Sequence, residues 1–536
     1  MPRPPNPTYP ATFWDLVVQR ADATPAHVIL ADDRGRALSA AAYREACERV
    51  AAGLAAEEDV GSGSVVAWQL PTVLEAAVLM GALARLGAVQ CPMIPILRRA
   101  EVGFIAAQTK ADHLVVARTW RGFDHEAMTR AIAAETGARV LVVDLDPSSA
   151  EALVLPQGDP ATLQPPPRSP KGPSPHAVAR AEADPVRWIY YSSGTTAQPK
   201  GARHTDRSVM AGASAMLAHI GFEADDVYPI AYPFTHIGAA AMLTCSLVTG
   251  MRLLLHAIFD PERTPLAMAE AGATLLGSAV PFFHAYLNAQ RRHGTASKLY
   301  PRLRACISGG APKPPELHRE LARELGGVGI VSAWGMTEFP LATCASPEDP
   351  DEVLADTEGR AGPQVELRLV ALDGRPCGPG EEGELRVRGP QGCLGYVDAA
   401  LDAEAFDADG FLRSGDLAVL DANGNVRITG RLKDVIIRNA ENLSAAEIED
   451  VLYTHPKVAD VAVIGLPDPK TGERACAVVA LAPGVDGLTL GELAAFAREK
   501  GLARQKVPEQ LELVAALPRN AMGKVLKQQL REAYGR

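Results

Sequence analysis

Long apolar runs, an excess of positive charge and paired cysteines are what this 536-residue sequence lacks. Its net charge is −11 with 22% charged residues, which removes the electrostatic reason to expect a nucleic acid or an anionic membrane surface as partner. The eight cysteines, Cys47, Cys91, Cys245, Cys306, Cys344, Cys377, Cys393 and Cys476, show no CxxC spacing. Zinc binding and dithiol redox chemistry are therefore not indicated, and the thiols read as reduced, mostly buried groups of a cytoplasmic protein. The opening "MPRPPNPTYP" is proline-rich and has no apolar core of the signal-peptide kind. Residues 228–251 contain no Asp, Glu, Lys or Arg, yet Pro233, His236 and Gly238 break them short of the roughly 20 residues of a membrane span. The expectation there is buried core, with no transmembrane segment.

What is present points to layered α/β architecture. The chain is too long for one core, so two or more folding units are expected. Tyr43, Cys47, Val50 and Leu54 recur at helical spacing, and the apolar run from Leu74 to Leu86 stops at Gly87, a residue suited to the end of a helix. Short runs such as "HLVVA" and "RVLVVDLD" lie between helical stretches and predict largely parallel strands. Residues 155–185 are rich in Pro, Ser and Gly and read as a surface connection leading into a strand, "VRWIYY". Beyond about Val365 the pattern changes to period two, "VELRLV" then "GELRVRG" across an Asp373-Gly374 turn, which predicts an antiparallel, barrel-like β subdomain at about 340–430. After Gly430, capping boxes at Ser444/Glu447 and Thr489/Glu492 and the strands "VADVAVIG" and "ACAVVALA" predict a small α+β domain. The division expected is 1–432 and 433–536.

The sharpest local feature is "YYSSGTTAQPKGARHT" at residues 190–205. A phosphate loop needs backbone N–H groups free to converge on an anion, together with a flexible counter-charge. Ser192, Ser193, Gly194, Thr195, Thr196 and Lys200 provide both, although a solvated hydroxyl-rich turn has the same composition. Lys200 lies between Pro199 and Gly201, so the Gly-Lys-Ser/Thr order of a phosphoryl-transfer loop is absent. Further on, Asn423-Gly424 predicts a two-residue type I′ hairpin turn, in which facing residues have numbers summing to 847. That register sets Asp416 opposite Arg431.

The loop closely resembles the phosphate loop of the adenylate-forming superfamily, which includes acyl-CoA synthetases, adenylation domains of peptide synthetases and luciferases. Ala197 stands where Gly is usual. Further resemblances follow in order: "YPFTHIG" with His236; "SGGAP" with Gly309, Gly310, Ala311 and Pro312; "AWGMTE" with Trp334 (where Tyr is commoner), Gly335, Met336, Thr337 and Glu338; "FLRSGD" ending in Asp416; "GRLKD" with Arg431 and Lys433; and "PRNAMGK" with Lys524.

The resemblance implies an ATP-dependent acid–thiol ligase with ATP, Mg2+ and CoA as cofactors. It assigns the β- and γ-phosphates to the loop and Lys200, the α-phosphate to Thr337 and Mg2+ to Glu338. The adenine side falls to "SGGAP", the ribose to Asp416 and Arg431, the acyl pocket to His236, the interdomain hinge to Lys433 and adenylation catalysis to Lys524. "RNAEN" would lie beside the pantetheine arm, with Ala440 where Gly is usual. Amino-acid-activating relatives place an aspartate in the stretch 234–251, which here has no acidic residue. Gly238, Ala239, Ala240 and Met242 instead suggest a roomy apolar pocket, so a small-molecule medium-chain fatty, alicyclic or aromatic acid is expected as substrate. Loading of a carrier protein is the alternative, and a nucleotide-binding protein without catalysis is a rival of another class.

Overall fold

A computed structural model describes residues 9–145, 153–167, 184–192, 199–294, 296–310, 313–439, 441–520 and 523–535. Three sheets build the larger part. A six-stranded sheet runs in the order Lys200–His204, Trp188–Ser192, Val89–Pro92, Val65–Gln69, His113–Ala117 and Arg139–Val143, with only its first pair antiparallel. A four-stranded sheet joins Val227–Ile230, Arg252–Leu255, Val28–Asp32 and Ala37–Ser39. A five-stranded sheet begins with the parallel strands Leu275–Ser278, Ala305–Gly309 and Ile330–Met336, then turns back through Phe339–Cys344 and Arg360–Ala361.

The helix Leu74–Leu86 lies at the centre of the main core. Apart from Glu75 and Arg85 it is apolar all round, and nearly all of its residues are buried, as a helix enclosed on every side requires. Its C-cap is Gly87 at φ +68°, where the left-handed backbone disfavours a side chain. Each fully buried Leu or Val contributes about 1.5–3 kcal/mol relative to exposure. The same helix buries the charged Glu75, which Arg36 compensates at 2.7 Å while also pairing with Asp32 at 2.8 Å. The helix Ile237–Thr249 is likewise core, and no described helix is long and apolar enough to cross a membrane.

The expected β subdomain is an open four-stranded antiparallel sheet, Glu366–Val370, Gly383–Arg388, Leu412–Leu420 and Val426–Arg431, not a closed barrel. Strong twist and a wider sheet would be needed to close it. After the 3-10 turn Leu432–Asp434 the chain enters a separate sheet made of Glu441–Leu443, Ile436–Arg438, Gly472–Leu481 and Val458–Asp468, with Gln510–Val514 added in parallel. Its own core contains Ile448, Leu452, Val463, Val479 and Leu493.

The Thr489–Glu492 capping box forms in full. At Ser444 only half of the box forms: its hydroxyl accepts from Glu447 N–H, while the Glu447 carboxylate turns to Lys506 at 2.6 Å. This small α+β unit touches the larger one through the Tyr453 hydroxyl and His284 Nε2, 2.9 Å apart. Gly523 adds a second contact, since a Cβ there would come within 3.2 Å of Ala279 Cβ.

Replacing the cap Thr489→Ala is expected to weaken the helix Leu490–Glu499 by about 1 kcal/mol. Amide hydrogen exchange across that helix should then accelerate about fivefold.

Candidate active site

The carboxyl ends of parallel strands leave a crevice in which ligands of such sheets commonly sit. Gly309 ends one strand of the five-stranded sheet and pairs with Ala333 on the next, one residue before Trp334. Gly310 follows with φ +81° and open space where a side chain would be. Ala311 and Pro312 lie outside the described residues.

Thr337 and Glu338 form the two-residue tip of the hairpin joining Ile330–Met336 to Phe339–Cys344, with Met336 paired to Phe339. The register shifts between Trp334 and Met336, and Leu341 takes φ +48°, a left-handed conformation unusual for a branched residue. Gly335 accommodates that irregularity: a Cβ there would stand 2.2 Å from Leu341 N. His204 Nε2 meets the Thr337 carbonyl at 2.9 Å and fixes the tip from below. The hydroxyl of Tyr396 donates to Glu338 Oε1 at 2.8 Å.

Ser192 and Lys200 pair across an antiparallel ladder and stand at the two feet of the phosphate-type loop. Ser193, Gly194, Thr195 and Thr196 lie outside the described residues. The ammonium of Lys200 lies 5.7 Å from the centre of the Tyr396 ring.

Asp416 and Arg431 are paired in the ladder, with Arg431 Nε 2.7 Å from Asp416 Oδ1. The indole N–H of Trp334 donates to Oδ2 at 2.9 Å. The expected two-residue turn is absent. Asp421 pairs with Asn425, and Gly424 N–H bonds to the Asp421 carbonyl, leaving a three-residue loop with Gly424 at φ +79°. Near the turn the facing numbers therefore sum to 846, as in Leu420 and Val426. A bulge at Thr429 then restores 847 at Leu417 with Gly430 and at Asp416 with Arg431.

Lys524 sits in a turn closed by Asn520, whose N–H bonds to the Lys524 carbonyl at 2.9 Å and whose Oδ1 accepts Lys524 N–H at 3.0 Å. Arg519 ties that turn to Asp460 at 2.6 Å. The half-buried side chain lies close to Arg431 and Asp416, and its pKa is lowered to about 8, first by desolvation and then by the Arg431 charge.

His236 caps the helix Ile237–Thr249, and its Nδ1 accepts the Gly238 N–H at 3.1 Å. Burial holds its pKa below the usual histidine range. The neutral ring thus carries its proton on Nε2, as a donor.

A cavity of about 40 Å³ lies beside it, lined among others by Met93, Ile94, Leu97, Tyr190 and Ile237. Ala239, Ala240 and Met242, expected to shape a roomy pocket, are packed inside the main core. Lys433 is exposed in the short turn between the two units. Ala440 lies outside the described residues.

Sequence reasoning missed Tyr396, His204 and the Tyr453–His284 contact. Each joins positions far apart in the chain, and no local pattern marks them. One cue was available for Tyr396 only in hindsight: a buried tyrosine needs a partner for its hydroxyl.

A half-buried lysine beside a cross-strand Asp–Arg pair, and a buried carboxylate at a hairpin tip, are the charged groups that this region offers to an anionic ligand. The chain matches the AMP-binding enzyme model over residues 17–397 and the AMP-binding enzyme C-terminal domain model over 447–524. It belongs to that family, the adenylate-forming superfamily, in its acyl-CoA synthetase branch, and is an acid–thiol ligase.

It is 30% identical over 528 residues to the medium-chain fatty-acid–CoA ligase of Escherichia coli (strain K12), covering 97% of this chain and 90% of that one. It is 35% identical over 504 residues to the salicyl-AMP ligase/salicyl-S-ArCP synthetase of Mycobacterium tuberculosis, covering 92% and 85%. Among solved structures, ATP-bound MatB from Rhodopseudomonas palustris superposes with a TM-score of 0.82 at 27% identity, covering 97% and 99% of the two chains.

With adenylation assigned to Lys524 by the resemblance, its lowered pKa predicts a pH limit on that step. An ammonium with a pKa of about 8 loses its charge as pH rises through that value, so kcat/KM for acid-dependent pyrophosphate exchange should fall above about pH 8. In Lys524→Arg, whose side chain stays protonated, that descending limb should be absent.

Proposed function

We propose that this enzyme activates an apolar carboxylic acid, a medium-chain fatty, alicyclic or aromatic one, and transfers the acyl group to CoA. The observation that supports this reading best is the gathering of Lys524, Arg431 and Asp416 at one point on the seam between the two units. A carboxylate is a poor electrophile, and its attack on a triphosphate brings two anions together, so positive charge must be fixed in place beforehand.

In the first half-reaction the carboxylate oxygen attacks the α-phosphorus of ATP and the bond to pyrophosphate breaks, giving the acyl-adenylate. Lys200 and the loop with Ser192, Ser193, Gly194, Thr195 and Thr196 hold the β- and γ-phosphates. Thr337 bonds the α-phosphate, and Asp416 with Arg431 holds the ribose. The strand end at Gly309, Gly310, Ala311 and Pro312 faces the adenine, together with Trp334, Gly335 and Met336. Lys524 bridges the incoming carboxylate and the nucleotide, while His236, neutral with Nε2 protonated, donates to the acid.

Glu338 fits Mg2+: it is a lone buried carboxylate with Oε1 held by Tyr396, and no cluster of three metal-ligating side chains exists among the described residues. That donor set suits an ion which takes most of its ligands from phosphate and water. Mg2+ bound there would neutralise charge on the polyphosphate.

In the second half-reaction the thiol of CoA attacks the acyl carbonyl and AMP leaves. The small unit, residues 433–536, turns about Lys433 between the two steps and brings the segment around Ala440 to the pantetheine arm.

The absence of any acidic residue from 234 to 251 supports an uncharged acyl group. The apolar lining of the cavity beside His236 supports it too. None of the eight cysteines forms a disulfide, and seven are buried, in keeping with the reducing cytoplasm. Loading of a carrier protein is a second reading, favoured by the likeness to the salicyl-AMP ligase/salicyl-S-ArCP synthetase of Mycobacterium tuberculosis.

Pyrophosphate exchange over a panel of acids, followed by AMP release with and without CoA, tests both. Exchange with medium-chain or aromatic acids and CoA-dependent AMP release is the expected result; exchange without CoA dependence favours the carrier protein. Lys524→Gln should slow adenylation on the order of 10² to 10³, roughly 3–4 kcal/mol, and slow thioester formation from supplied acyl-adenylate far less.

A further inference from the structure

Tyr396 occupies a place that the assigned ATP chemistry does not explain. The segment around it is stitched to two parts of the site at once. On one side, Arg203 N–H bonds to the Gly395 carbonyl at 2.9 Å and Val397 N–H to the Gly201 carbonyl at 2.8 Å, pairing the segment antiparallel to the edge of the strand that begins with Lys200. On the other, Cys393 N–H bonds to the Glu338 carbonyl at 2.9 Å. Asp402 Oδ1 accepts Tyr396 N–H at 2.8 Å. A Cβ at Gly395, where φ is +119°, would fall 2.4 Å from Asp402 Oδ2, so the approach is built for glycine.

The side chain is 6% exposed. Its hydroxyl reaches Glu338 Oε1 at 2.8 Å, and its ring carries the Lys200 ammonium 5.7 Å from the centroid. Lys200 lies over the ring and Glu338 meets the hydroxyl of the same side chain, yet no ion pair within 4.0 Å joins these opposite charges. A direct pair would tie up both groups, and a nucleotide would have to break it before binding.

We propose that Tyr396 is a positioning residue of the nucleotide site: its hydroxyl aims the Glu338 carboxylate, and its ring is a spacer that keeps Lys200 from pairing with Glu338. This rests on ATP binding at this site as set out above. The hydroxyl holds one oxygen of Glu338 and leaves the second for a divalent cation. The ring face holds the ammonium by a weak cation–π contact that phosphate can readily replace.

The two parts separate by substitution. Tyr396→Phe keeps the ring and removes the hydroxyl; Tyr396→Leu removes both. Two measurements are made on the full chain: ATP binding by calorimetry in EDTA, and Mn2+ uptake into the ATP complex by electron paramagnetic resonance. Tyr396→Phe should bind metal-free ATP within twofold of the native protein but take up Mn2+ about tenfold more weakly. Tyr396→Leu should also lose about tenfold in metal-free ATP affinity. Because the hydroxyl acts through Glu338, the double variant Tyr396→Phe/Glu338→Gln should bind Mn2+ no more weakly than Glu338→Gln alone.

Native Mn2+ uptake in Tyr396→Phe, an equal loss of both affinities in that variant, or additive losses in the double variant would each overturn the inference while ATP binding by the native protein stands. Failure of the native protein to bind ATP would overturn the reading of the site and the inference with it.

Discussion

The buried carboxylate of Asp416 is the point on which the rest of the site depends. It is 3% exposed, and a charge removed from water to that degree requires partners on each oxygen. Trp334 supplies one from the five-stranded sheet and Arg431 the other from the antiparallel sheet. Lys524, from the small unit, adds its charge to the same neighbourhood. Two sheets that share one core and a small unit with its own thus meet at one desolvated anion.

The site is built largely from exceptions to regular structure. Leu341 accepts a left-handed backbone, Gly335 makes room for it, and the pair sets the hairpin tip that presents Thr337 and Glu338. His204 and Tyr396 then pin that tip from two sides. Strain of about 1–3 kcal/mol at such a position persists only where the surroundings fix it. Here the surroundings are the strand Lys200–His204 and the segment paired to its edge, so Lys200 and the Glu338 carboxylate rest on one support.

Local order was legible in the sequence. The helix Leu74–Leu86 with its glycine cap, the strands His113–Ala117 and Arg139–Val143, and the Thr489 capping box are governed by periodicity and by residues a few positions apart. The family, too, could be read from six ordered motifs.

What could not be read is set by tertiary packing. Ala239, Ala240 and Met242 look like pocket walls by composition but face the main core, because the helix that holds them is enclosed by its neighbours. The β subdomain has the alternation of a barrel, yet four strands leave it open. Tyr396 lies 58 residues from the carboxylate it binds, beyond any spacing rule.

The hairpin between Asp416 and Arg431 has a consequence for how this chain can vary. Its turn is one residue longer than the shortest form, and the bulge at Thr429 takes up the difference. Each irregularity alone would slip Arg431 by one place, and a strand's side chains change face with every step. The guanidinium would then point away from its acid. Insertions and deletions on the two sides of this ribbon are therefore tolerable only as matched pairs, a constraint on descent that neither position reveals by itself.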